Sequence, residues 1–332
     1  MVLTIFATNK ITINNKMNKL RIVFMGTPDF AVGILDAIIK QGIHQVVGVI
    51  TAADKPAGRG QKIIFSAVKE YSLLHNLPLL QPTNLKDNTF LEELKSLNAN
   101  LQVVVAFRML PTAVWEMPNL GTFNLHASLL PNYRGAAPIN WAIINGETQT
   151  GVTTFFIDDK IDTGAMILSK SIDINPDENA GELHDKLMVL GSKTVLETLD
   201  LICNNNIKTT IQDESSEIKQ APKLNKENCK IDFNKKGVEI YNLIRGLSPY
   251  PVAWCFITNN KQEFAVKIYD ASFETTHHSD TIGKIITSKK ELKIAVSDGY
   301  IQVKTVQFPG KKKMTTQELL NGMQYLEDAV AY

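Results

Sequence analysis

Asn124 and His126 stand two residues apart in GTFNLHA, an apolar stretch with the composition of a β-strand. Alternate side chains of a strand point the same way, so this amide and imidazole project from one face and can share a substrate. The run that follows, SLLPNYRGAAP, leaves the strand at Pro131 and turns at Arg134-Gly135. It forms a loop at the strand's carboxyl end, where open α/β sheets bind ligands. An amide NH₂ and a protonated imidazole can both donate to an oxygen that becomes negative in a tetrahedral intermediate. That is chemistry at a carbonyl carbon, and it needs no nucleophile from the protein.

Such a pair requires a third group that holds the histidine in one tautomer and raises its proton affinity, a task that a carboxylate on a neighbouring loop performs. Asp162 in IDTG is the candidate. A calcium loop through Asp158 and Asp159 fails the EF-hand order, because Lys160 falls on a ligand position and Thr163 stands where glycine belongs, so no metal is expected. Taken singly, a strand histidine is more often a hydrogen-bonded core residue, and an Asp before Thr-Gly more often a turn former.

The surrounding elements would place these residues well. LRIVFMG, TPDFAVGILDAIIK and HQVVGVIT read as strand, helix and strand, with strands apolar on both faces. This order implies a parallel sheet covered by helices on both sides. The pattern continues through FLEELKSLNA (helix), the strands LQVVVAF, GTFNLHA and GVTTFFI, and the long amphipathic helix GELHDKLMVLGSKTVLETLDLIC. A Rossmann-like α/β domain is therefore expected over 17–203. Residues 204–224 are polar with little periodicity and read as a linker. From 225 to 332 a short helix precedes strands spaced near ten residues apart, the pattern of a small antiparallel OB-like β-barrel. Residues 1–16, rich in Asn, Thr and Ile, read as an extension ahead of a start at Met17, and they lack the ordered segments of a targeting peptide.

Bulk properties narrow the setting. The three cysteines, Cys203, Cys229 and Cys255, fit neither a disulfide framework nor a zinc-ligand pattern, so a reducing cytoplasm is the simplest location. No apolar run approaches the roughly 20 residues of a membrane span. Residues 1–222 carry 19 Lys/Arg against 22 Asp/Glu, whereas 223–332 carry 16 against 12. The second part is thus the basic one, the sign expected of a surface that touches a polyanion.

NLHASLLPNYRGAAPINWAIINGE with its downstream IDTG resembles the signature of the 10-formyltetrahydrofolate-dependent formyltransferases, and the likeness runs from RIVFMGTPDFAV to the C-terminal strands. The resemblance implies that Asn124, His126 and Asp162 are a catalytic triad, that Ser128, Leu129, Leu130 and Pro131 contact the folate, and that 10-formyltetrahydrofolate is the formyl donor. One departure stands out: many members follow the central strand with Ala-Tyr-Gly and a longer turn, where this chain has Phe107, Arg108 and one residue fewer. Arg108, Met109 and Leu110 would line the pterin pocket, or Arg108 would simply be a surface residue.

The triad does not choose the acceptor, since related enzymes formylate glycinamide ribonucleotide or sugar-nucleotide amines, or hydrolyse the same folate. AADKPAGRGQK, with Lys55, Arg59 and Lys62 among Gly and Pro, has the composition of a solvated turn. It also resembles the loop with which the tRNA-acting members of the family enter the acceptor stem, Arg59 matching its key arginine. Basic groups on a mobile loop suit phosphates and splayed end bases. Lys284, Lys289, Lys290, Lys293, Lys304 and Lys311 to Lys313 supply a second basic surface. The expected partner is then initiator methionyl-tRNA, met by a monomer without a membrane. A nicotinamide-dependent oxidoreductase is disfavoured because MGTPDFAV places Pro28 where GxGxxG needs its second glycine. A non-catalytic tRNA-binding protein would have no use for the triad.

Overall fold

The computed structural model describes residues 19–57, 62–215, 217–322, 325 and 328–332. The extension expected at 1–16 and Arg59 lie outside the described residues, and Lys55 and Lys62 are described in backbone only.

The first body is built on a seven-stranded sheet in the spatial order Met166–Asp173, Gln149–Phe156, Thr122–His126, Leu101–Val105, Arg21–Gly26, Gln45–Ile50 and Leu79–Leu80. Its last five strands are parallel, whereas Gln149–Phe156 runs antiparallel to both its neighbours, so that Met166–Asp173 at the edge again points the same way as the five. The sheet is therefore mixed where the sequence reading expects a parallel one. The nine-residue connection at 157–165 explains one antiparallel step, because a parallel return needs a crossover of a dozen residues or more. Both faces are covered, as the apolar strands require. Ile22 and Phe24 join the core beneath the helices Asp29–Gln41 and Ala180–Cys203, while Val23 and Met25 join the opposite core with Phe90, Leu94 and Val114. The long helix starts at a capping box in which Asn179 and Glu182 bond reciprocally to each other's backbone.

The second body is an antiparallel barrel with strands ordered Ile285–Thr287, Leu292–Val296, Gly299–Gln307, Gln262–Thr275, Ala253–Asn259 and Val330–Ala331. A bridge between Lys284 and Val330 joins the two ends and closes it. Inward residues such as Cys255, Ile257, Val266 and Ile268 fill the interior, and Ile240 and Ile244 of helix Gly237–Gly246 cover one end. Among the described residues, no helix is long and apolar enough to cross a membrane.

The two bodies touch directly. Ile144 packs against the barrel core, and the Asn140 side-chain amide donates to the Gly246 carbonyl at 2.8 Å. Arg245, only 8% exposed, donates from Nη1 to the Glu178 carbonyl at 2.8 Å and from Nε to Asn242. Removing the guanidinium leaves the Glu178 carbonyl and the Asn242 oxygen without these donors, a loss of about 1–3 kcal/mol. Arg245→Ala is expected to lower the melting temperature and to split the calorimetric transition, the barrel and the sheet domain melting apart. A single transition at the wild-type temperature would show that this seam does not couple them.

Candidate active site

The strand Thr122–His126 pairs with Leu101–Val105 on one side and Gln149–Phe156 on the other, which puts Asn124 opposite Val104 and Phe155, and His126 opposite Thr153. Both side chains line a cavity of about 650 Å³ at the carboxyl end of the parallel strands. Asp162 lines it as well. The three residues, 38 positions apart in the chain at their extremes, therefore share one chamber. Ala106 to Leu110, at the end of the adjacent strand, form another wall.

His126 is 93% buried, and its Nε2 lies 2.8 Å from the Tyr133 carbonyl oxygen. A carbonyl oxygen can only accept, so Nε2 carries the hydrogen and Nδ1 is left as the position that can gain or lose a proton. Nδ1 lies 3.8 Å from Asp162 Oδ2, beyond hydrogen-bond length. Asp162 Oδ2 instead accepts from the Gly135 backbone N–H at 3.0 Å. This corrects the expectation that Asp162 sets the tautomer: a backbone carbonyl does so, and the carboxylate stands opposite the free nitrogen. Asn124 Oδ1 is buried and has no hydrogen-bond partner among the described residues. A buried acceptor left this way is costly unless a ligand or water satisfies it.

Two unusual backbone conformations aim these groups. Tyr133 (φ +62°) and Asp162 (φ +56°) both occupy the left-handed region, uncommon for residues with a side chain. Tyr133 is anchored by its buried ring, by its phenol O–H donating to Glu147 Oε1 at 2.5 Å, and by Asn145 Nδ2 donating to the phenol oxygen. Lys219 Nζ also donates to Glu147. Burial alone would raise the Glu147 carboxyl, but the hydrogen bonds from Lys219 and Tyr133 outweigh it and hold the group below its ordinary value. Burial, reinforced by Glu147, pushes the Tyr133 phenol well above its usual range.

The IDTG turn is fixed from several sides. Asp158 accepts from the Thr163 hydroxyl and the Lys160 N–H, so it closes the turn that precedes Asp162. Gly164 approaches the Phe156 carbonyl so closely that a Cβ would overlap it, which is why this position requires glycine. Gln212, from the polar segment 204–224, donates from Nε2 to the carbonyls of Asp162 (2.8 Å) and Gly164 (2.9 Å).

The other expected site residues fall in different places. Ser128, Leu129, Leu130 and Pro131 are not among the residues lining the cavity. Ser128 is fully buried and donates to the Asn132 carbonyl, while Thr153 Oγ1 bonds both the Ser128 carbonyl and the Leu130 N–H. The four form the turn that supports the Tyr133 loop. Arg108, Met109 and Leu110 do line the cavity, and the Arg108 guanidinium is tied to the carbonyls of Thr83 and Pro82. Lys55–Ala57 and Lys62–Ile64 pair as two antiparallel strands. On the barrel, Lys284 and Lys293 are paired with Asp280 and Glu274, whereas Lys289, Lys290, Lys304 and Lys311 to Lys313 are exposed.

Comparison with known proteins decides the family. A family model described as "Formyl transferase" matches residues 20–199, and one described as "Formyl transferase, C-terminal domain" matches 223–324. The chain belongs to the formyl transferase family. It is 70% identical over 316 residues to a protein of Flavobacterium psychrophilum named "Methionyl-tRNA formyltransferase", covering 95% of this chain and 100% of the relative. A Bacteroides thetaiotaomicron protein of the same name is 52% identical over 314 residues, with 93% and 97% coverage. Among solved structures, an N-formyltransferase from Helicobacter canadensis, in complex with folinic acid and dTDP-3-aminofucose, superposes with a TM-score of 0.64 at 23% identity over 86% of this chain and 98% of that one. That likeness is one of fold.

Sequence reasoning passes over Tyr133, Glu147 and Gln212. Tyr133 and Glu147 lie inside the quoted motif but work through a carbonyl and a buried phenol, which residue type does not announce. Gln212 sits in a stretch without periodicity and gives no signal at all.

The depressed Glu147 carboxyl has a consequence for stability. Its folded value lies below the unfolded one of about 4.3, so its contribution is complete above that pH and is lost as pH falls through the depressed value. Thermal melts of wild type and Glu147→Gln are expected to differ most near neutral pH and to converge below about pH 4. A gap of constant size down to pH 3 would contradict this assignment.

Proposed function

We propose that this chain transfers the formyl group of 10-formyltetrahydrofolate to the α-amino group of methionine on charged initiator tRNA. The observation that carries the reading is the convergence of Asn124, His126 and Asp162 on one cavity that holds hydrogen-bond donors and a proton carrier. The donor fits the chamber: about 650 Å³ is within the range of small-molecule sites. Phe107, Met109 and Leu110 supply an apolar wall for a flat ring, and the Asn124 side chain, whose Oδ1 has no partner among the described residues, faces the same space. The acceptor follows from relatives of 70% and 52% identity that carry the name methionyl-tRNA formyltransferase along their whole length.

The bound folate supplies a formyl carbon attached to N10, and tetrahydrofolate departs when that bond breaks. Asn124 donates its amide N–H to the formyl oxygen as negative charge grows there during attack by the amine. His126, committed through Nε2 to the Tyr133 carbonyl, gives and takes its proton at Nδ1. Asp162 Oδ2, 3.8 Å from Nδ1, steadies the imidazolium, whose Nδ1–H donates to the formyl oxygen. As the new C–N bond forms, the amine gives up one proton; as the old one breaks, N10 receives one. His126 and Asp162 stand beside both events and can carry that proton between them. Ser128 to Pro131 serve by supporting the loop that carries Tyr133.

The segment 55–62, with Lys55, Arg59 and Lys62, and the exposed lysines of the barrel are the surfaces assigned to the tRNA. The reading carries with it a cytoplasmic enzyme that acts as a monomer, with the sheet domain at 17–203, the connecting segment at 204–224 and the barrel at 225–332.

Incubation with 10-formyltetrahydrofolate and methionyl-tRNA should yield formyl-methionyl-tRNA. His126→Ala and Asp162→Asn should each lower kcat by about 10²–10⁴-fold while the protein stays folded. Arg59→Ala should weaken formylation of charged tRNA and leave folate binding unchanged. Comparable formylation of a sugar-nucleotide amine, or a fully active His126→Ala variant, would overturn the reading.

A further inference from the structure

The segment 204–224 does more than span the gap between the two bodies. Thr210 exchanges two backbone hydrogen bonds with Met166, just beyond the IDTG turn. Gln220 and Ala221 pair in parallel with Arg134 and Gly135, and the Lys219 carbonyl accepts from the Tyr133 N–H. Between these two attachments lies Gln212, 95% buried. Its Nε2 donates to the Asp162 and Gly164 carbonyls, and its Oε1 accepts from Arg134 Nε at 3.1 Å and Nη2 at 2.7 Å. One side chain thus joins the loop that carries Asp162 to the loop that sets His126.

We propose that Gln212 is a positioning residue of the active site, holding Asp162 opposite His126 Nδ1. The proposal rests on the catalytic role given above to Asp162. Only a side-chain amide meets the demand, since the two carbonyls require donors and Arg134 requires an acceptor. A hydrocarbon of similar size satisfies neither loop, and a carboxylate satisfies Arg134 while repelling both carbonyls. The left-handed conformation of Asp162 disfavours the observed turn, so once those donors are removed the carboxylate is free to shift away from the imidazole.

The test is a kinetic cycle on the intact enzyme with Gln212→Met, Gln212→Glu and Asp162→Asn. Misplacing a catalytic group by about 1 Å costs on the order of 10²-fold. Gln212→Met and Gln212→Glu should therefore each lower kcat by about 10- to 100-fold, with KM for both substrates within about twofold of wild type. Added to Asp162→Asn, either change should lower kcat by less than about twofold more, because the group it positions is already disabled. If one variant does not fold, the other carries the same comparison. Wild-type kcat in Gln212→Glu would show that tethering Arg134 is all the residue does. An equal loss in both Asp162 backgrounds would show a general structural role, and either result overturns the proposal. Full activity of Asp162→Asn itself would strike instead at the catalytic role assigned to Asp162.

Discussion

A carbonyl oxygen has no proton to give, so the 2.8 Å contact between the Tyr133 carbonyl and His126 Nε2 leaves the imidazole only one way to stand. The rest of the site follows from that constraint. The hydrogen is fixed on Nε2, proton exchange is confined to Nδ1, and the carboxylate that matters is the one facing Nδ1. Asp162 is held there through its own contact with the Gly135 N–H, a peptide of the same loop that contributes the Tyr133 carbonyl. Tautomer and counter-charge are thus set by two points on one loop, two residues apart.

That loop and the IDTG turn are both strained in isolation. Left-handed conformations at Tyr133 and Asp162 each cost on the order of 1 kcal/mol or more, and a typical hydrogen bond contributes about 1 kcal/mol net. No single bond would hold either turn. Several do: the Tyr133–Glu147–Lys219 chain for one loop, Asp158 for the IDTG turn, and Gln212 for both. Two of these ties, Lys219 and Gln212, come from the stretch that connects the sheet domain to the barrel. Its lack of periodicity reflects this use, since it is ordered by side-chain and backbone bonds to loops and not by burying an apolar face.

Most of the fold was legible because apolar periodicity reports burial. LRIVFMG reads as a strand covered on both faces, and its residues do alternate between two cores. AWCFITN reads as a strand, and its residues alternate between the barrel interior and its outer surface. Met166–Asp173 gives little sequence signal because it is an edge strand whose alternate residues are exposed, and its antiparallel pairing with Gln149–Phe156 is set by a short connection, not by composition. Within the site, spacing puts Asn124 and His126 on one strand face, and the resemblance to the family signature joins Asp162 to them. The Tyr133 carbonyl gives no such signal, because every residue except proline offers the same backbone groups and only conformation aims them. Ser128 to Pro131 mark another case: a conspicuous motif in which the Ser128 hydroxyl and the backbone at Ser128 and Leu130 are tied into the turn before Tyr133.

The site's chemistry turns on which nitrogen of His126 carries the hydrogen in the resting enzyme. Nitrogen-15 NMR of the histidine-labelled protein, with His126 assigned by its absence from His126→Ala, reads this directly above the pH at which the ring becomes charged. Protonated Nε2 and bare Nδ1 are the predicted result, with the Nε2 hydrogen protected from exchange. A resting ring carrying its hydrogen on Nδ1 toward Asp162 would contradict the role given to Tyr133 and the arrangement built upon it.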